Sequence, residues 1–236
     1  MTHVKNVESY SRLVDICTGL GGKYNPGHQS LQVESLLNML NGAKQALEEA
    51  KLAKTKFDRE VNSRRQAYDK LPTLATSILR TLSDYGASAE TMDDARYFVR
   101  QIRGRQSKDR SPLPNPAGEP AKAKRSGVQQ SYVGQADNFS KLVLAVQAEP
   151  LYTASETVLK KAHLLRKVEE LETLNAKVSV AKVAWSNARE LRDQVLYGKR
   201  NSLLALQRAV KNHVYAVFGN NSPEYALLKS IKFNKI

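Results

Sequence analysis

The sequence nearly repeats itself. Tyr10-Ser11-Arg12-Leu13-Val14 returns as Phe139-Ser140-Lys141-Leu142-Val143, an offset of 129. Tyr24 then meets Tyr152, Leu36-Leu37 meets Leu164-Leu165, Phe57 meets Trp185 and Arg64 meets Arg192, all at an offset of 128. Tyr85-Gly86 meets Phe218-Gly219 at 133, so the second copy carries an insertion of about one helical turn. A repeat of this length is a whole structural unit, and it constrains the fold more than any single motif does. The 236 residues therefore divide into a first repeat over 1–104, a linker over 105–130 and a second repeat over 131–236.

Within each repeat the apolar period is helical. Leu36, Leu37, Leu40, Ala43, Leu47, Ala50, Ala53, Phe57, Val61 and Tyr68 recur at steps of three and four. Leu164, Leu165, Val168, Leu171, Leu174, Val178, Ala181, Trp185, Ala188 and Val195 do the same in the second copy. Each series predicts one long helix of about 40 residues, roughly 60 Å at the usual rise. Ser30 and Ser155 are the expected N-caps. Pro72 predicts the start of a shorter return helix to Tyr85. Gly198 is the matching break before a second return segment, Arg200 to Phe218. Pro223, behind Ser222, predicts a last short helix. No segment alternates with period two, so no strand is expected.

A long apolar stripe must be covered along its whole length. Its shorter neighbours cannot do so, which leaves the other long helix. Ala43, Ala46, Ala50 and Ala53, facing Ala176, Ala181, Ala184 and Ala188, would allow close approach. The expected fold is all-α: an elongated helical bundle of two pseudo-symmetric repeats joined through their long helices. Tyr24 and Tyr152, and Phe57 and Trp185, occupy matched places and are expected to anchor the core.

The linker has a different character. Pro112, Pro114, Pro116 and Pro120 fall within it, and Leu113 is nearly its only large apolar side chain. It cannot bury enough surface to offset its ordering entropy, and it reads as an extended connection.

Charge is distributed unevenly. The net +14 splits into +2 over residues 1–102, +5 over 103–127 and +7 over 128–236. Such a surplus attracts polyanions, and it also keeps a protein soluble. The candidate polyanion-binding residues are Arg103, Arg105, Lys108, Arg110, Lys122, Lys124, Arg125, Lys160, Lys161, Arg166 and Lys167, which can grip phosphates without reading sequence. The alternative is a solubilising linker and ordinary helix surface. No zinc finger, RNA-recognition motif or helix-turn-helix points to specific readout.

Nothing in the sequence argues for catalysis. Gly19-Leu20-Gly21-Gly22-Lys23 resembles a phosphate loop, but Tyr24 stands where the loop needs Ser or Thr and no strand precedes it. His3, His28, His163 and His213 lack metal-ligand spacing, so no metal or other cofactor is expected. Glu48-Glu49, Asp93-Asp94 and Glu169-Glu170 with Glu172 lie on lysine-rich helical segments and read as solvated. There is no nucleophile elbow. Cys17 is the single cysteine, which rules out an internal disulfide and fits a buried, inert thiol in a reducing compartment. The apolar runs are too short to span a membrane, and the first eight residues carry no secretory core. The expectation is a cytoplasmic, non-enzymatic protein that acts by self-association or by binding a protein partner, or else a nucleic-acid-associated protein.

Two stretches carry a resemblance: Tyr10 to Asp15 with Leu20 to Gly27, and Val195 to Tyr197 with Val217 to Gly219. Both resemble an uncharacterised family of bacterial all-helical proteins with two such repeats. The resemblance implies a fold and no assigned activity.

Overall fold

The computed structural model describes residues 2–104 and 131–234. Among them are eight α-helices, three short 3₁₀ turns and no strand. In chain order the helices are α1 (Thr2–Gly19), α2 (Val33–Asp69), α3 (Leu71–Asp84), α4 (Ala89–Arg103), α5 (Tyr132–Ala148), α6 (Lys161–Tyr197), α7 (Leu203–Phe218) and α8 (Pro223–Ser230). The two long helices, α2 and α6, each have 37 residues, and both their ends fall at the repeat offset of 128. The linker lies outside the described residues.

Local chemistry sets the helix ends. Ser88, Ser131, Ser202 and Ser222 each accept a hydrogen bond from the backbone N–H three residues on, at 3.0 to 3.2 Å. Each satisfies an orphan donor of the first turn. Pro72 and Pro223 sit in the first turns of α3 and α8, where a missing N–H costs nothing. Gly104 ends α4 with φ of 68°, a left-handed conformation that suits a residue without Cβ. Gly198 follows α6, and a Cβ there would stand 2.6 Å from the Gln194 carbonyl oxygen.

The expected caps of the long helices are displaced. Ser30 lies inside a 3₁₀ turn, Gln29–Leu31, whose own cap is His28, and α2 begins two residues after that turn. Ser155 precedes another 3₁₀ turn, Thr157–Leu159, ahead of α6. The matched tyrosines hold both turns. Tyr24 donates its hydroxyl to the Leu31 carbonyl at 2.8 Å, and Tyr152 donates to the Leu159 carbonyl at 2.9 Å. Their exposures are 5% and 3%, as expected of core anchors.

The chain forms two compact units, and they are not the two sequence repeats. Unit 1 contains Met1–Asp58 and Ala181–Ile236, and unit 2 contains Arg59–Val180. In unit 1, α1 packs against α7 and α8, which come from the second repeat. Its core joins Tyr10, Leu13 and Cys17 to Leu36 and Leu40 of α2, Leu196 of α6 and Val210 of α7. The buried Asn6 is satisfied there by Tyr197 and by the backbone of Asn234, at 2.8 to 3.3 Å. In unit 2, α4 packs on α5 and α3. Ile78, Leu82, Val99 and Ile102 of the first repeat meet Phe139, Leu142 and Val146 of the second. Each unit thus takes the first helix of one repeat and the return helices of the other. The boundaries at 104 and 131 mark where the sequence repeats, and they are not the edges of either core.

The long helices do meet. In unit 1 Phe57 of α2 stacks on Trp185 of α6, with centroids 5.3 Å apart and planes 21° apart. Leu36 and Leu40 of α2 share a core with Leu196 of α6, so the two helices run antiparallel in this unit. In unit 2 Asn175 of α6 donates to the Tyr68 hydroxyl of α2 at 2.8 Å. The alanine seam is only partial: Ala43, Ala46, Ala50 and Ala181 are buried, whereas Ala176 and Ala184 are exposed. Phe57 and Trp185 are half-buried, so they pair with each other in place of anchoring a core apiece.

A candidate anion-binding groove

Three elements of unit 1 frame an open groove of about 580 Å³. From α2 come Lys44, Leu47, Glu48, Ala50, Lys51 and Lys54; from α6, Trp185, Arg189 and Arg192; from the start of α1, His3 and Val4. Steps of three and four residues put the α2 and α6 members on single helix faces. Val4, Leu47, Ala50 and the indole supply its apolar lining, and the cations stand beside them.

Trp185 is held from several sides. Phe57 stacks on it, and the Lys54 ammonium and the Arg189 guanidinium each lie 5.2 Å from its ring centre. Cations over an indole face are attracted by the ring quadrupole, here worth about 0.5–1 kcal/mol each because the site is open to water.

Five lysines and arginines face one lining carboxylate, Glu48. Three of the cations have acidic neighbours. Lys51 reaches Glu48 at 3.5 Å, Lys54 pairs with Asp58, and Arg192 gives Nε and Nη2 to one oxygen of Asp193 at 2.9 and 2.7 Å. Arg192 is only 14% exposed, so this pair is fixed. Among the described residues no carboxylate reaches Lys44 or Arg189, and both are exposed. His3 shares a hydrogen bond of 2.9 Å with the Tyr197 hydroxyl. Burial, then the positive charge of Arg192, hold its imidazole below the ordinary 6.5.

The repeat supplies an internal comparison. At the matched positions of the other repeat, Lys44 becomes Glu172, Lys51 becomes Ser179, Arg189 becomes Val61, and His3 becomes Tyr132. In unit 2, Tyr132 covers the Arg64 guanidinium at 4.1 Å and meets Tyr68 edge-on at 4.8 Å. Lys54 and Arg192 keep basic counterparts in Lys182 and Arg64, whereas the cations Lys44, Lys51 and Arg189 have none.

The described residues among those singled out from sequence lie elsewhere. Arg105, Lys108, Arg110, Lys122, Lys124 and Arg125 are outside the described residues. Arg103 is exposed in the last turn of α4, and Lys160 is exposed before α6. Lys161 is structural: its ammonium donates to the carbonyls of Gln147 and Glu149 at 3.2 and 2.7 Å. Arg166 bends back to the Ala162 carbonyl, and Lys167 pairs with Glu170 at 3.0 Å. None of these five described residues lines the groove. Sequence reasoning missed Lys44, Lys51, Lys54, Arg189 and Arg192 as a set because they converge only through the register of α2 on α6. The matching of Phe57 with Trp185 was the one signal of that register.

Other chemistry is not assembled. Among the described residues no group of three or more His, Cys, Asp or Glu is placed to hold a metal ion, and no helix is long and apolar enough to cross a membrane. Cys17 is buried, and burial pushes its thiol up to about 11. No family model matches the chain, and neither the curated proteins nor the solved structures give a match.

Proposed function

We propose that this chain is a non-enzymatic binding protein that holds an anionic partner in the basic groove of unit 1. One observation carries the reading: Lys44, Lys51 and Arg189 stand around an open, partly apolar groove, and none of the three has a basic counterpart in the other repeat. Cations beside an apolar lining focus the field and raise the local concentration of anions. The partner is exchanged reversibly and the chain has no covalent step to perform. A reducing compartment such as the cytoplasm suits its single thiol.

Trp185 is the single tryptophan, so its emission reports on the groove directly. Titrating the full chain with inorganic polyphosphate at low salt is expected to change that emission saturably, and added salt is expected to reverse the change. No change in emission together with no polyphosphate binding at low salt would overturn the reading.

A further inference from the structure

We propose that the occupant of this groove is single-stranded nucleic acid, bound through its backbone on the cations and its bases on the apolar lining. This rests on the anion-groove reading and adds the chemical class of the partner. The groove offers two surfaces, and a ligand must use both to account for it. A polyphosphate or a polyglutamate engages the cations and leaves Val4, Leu47 and the indole idle. A duplex turns its bases inward and likewise presents only phosphates. A single strand exposes flat, apolar rings beside a regular row of charges, the combination that stacking platforms and positive channels recognise without regard to sequence.

The spacing agrees. Lys44 and Lys51 are two turns apart along α2, about 10 Å, with Lys54 one turn further. Arg189 faces them from α6, its planar guanidinium already lying over Trp185 at 5.2 Å. A strand lying along the groove meets Lys44 and Lys51 on one side and Arg189 on the other, and reaches the part of the indole that Phe57 leaves uncovered by taking the place of the Arg189 guanidinium over the ring. The groove's volume of about 580 Å³ suits a short stretch of strand. Because Glu172, Ser179, Val61 and Tyr132 occupy the matched positions, the repeat provides no second copy of this site among the described residues, and one strand per groove is expected.

The test is a fluorescence titration of the full chain with a short oligothymidylate, with competition by a duplex, a polyphosphate and a polyglutamate of matched charge. The expected result is one strand per chain, quenching of Trp185, and an affinity that falls about 20-fold between 50 and 200 mM salt for three phosphate contacts. A Lys44→Gln/Lys51→Gln/Arg189→Gln variant, folded by circular dichroism, should bind at least tenfold more weakly. If polyphosphate or polyglutamate of equal charge, or the duplex, binds as tightly as the strand, the inference fails while the anion-groove reading stands. If the variant binds the strand as well as the parent, the strand binds elsewhere and the inference fails. If no polyanion binds at low salt, both fail.

Discussion

Removing one oxygen from each matched tyrosine measures how firmly the 3₁₀ turns before the long helices are tied down. In Tyr152→Phe the ring stays and the hydroxyl goes, leaving the buried Leu159 carbonyl without the donor that reaches it at 2.9 Å. A net hydrogen bond is worth about 1 kcal/mol, and a buried acceptor left unpaired raises the cost to about 2 kcal/mol. In Tyr24→Phe the bond to the Leu31 carbonyl, 2.8 Å long, is only partly buried, so water takes over and about 1 kcal/mol is lost. For a chain of this size these costs lower Tm by about 4–8 °C and about 2–4 °C. Tyr24 belongs to unit 1 and Tyr152 to unit 2, and they share no partner, so the double variant should lose the sum to within about 0.5 kcal/mol. Denaturant unfolding followed by circular dichroism gives all three values. A Tyr152→Phe variant as stable as the parent would refute the reasoning, and so would a double variant no worse than the poorer single one.

Three further outcomes follow from the same structure. Cys17, buried and with its thiol pushed up to about 11, should react with an aromatic disulfide reagent at pH 8 only at the rate of unfolding, and rapidly in denaturant. Fast reaction of the native chain would contradict its placement. His3 titrates below its ordinary 6.5, so just under that pH the unfolded chain binds the proton and the folded chain does not. Stability should therefore fall as pH drops through about 6.5, and His3→Gln should flatten that part of the profile; an unchanged profile would count against the burial and the Arg192 field. Because each unit is built from both repeats, residues 1–104 and 131–236 expressed as separate chains should fold together as a heterodimer and poorly alone. Two stable, non-associating fragments would show that the repeats are self-sufficient.

Much of the helical framework was legible because prolines, serines and glycines punctuate it. Pro72, Ser222-Pro223 and Gly198 mark real ends, and the two long apolar series run within a few residues of their helices. The displaced starts had a cause invisible to local propensity. Ser30 and Ser155 are good capping residues, but a tyrosine hydroxyl seven residues upstream of each turn's last carbonyl closes a 3₁₀ turn first. The helix α4 left a weak trace, since Met92, Ala95, Val99 and Ile102 form a narrow stripe between charges. The interleaving of the repeats was not legible, because a pattern of buried positions does not say whose helix covers them. The groove was hidden for the same reason. Its cations lie on two helices more than 100 residues apart in sequence, and Lys44 and Arg189 become one site only when Phe57 meets Trp185.

The salt dependence of strand binding tests the central claim most directly. For single strands the slope of log K against log salt is about −0.7 per phosphate neutralised. If Lys44, Lys51 and Arg189 each neutralise one, the triple glutamine variant should lose about 2 from the slope of the full chain. A slope reduced by that amount places the contacts in this groove. An unchanged slope, with the variant folded, would mean that the net charge of +14 acts from another surface and that the groove is not the site.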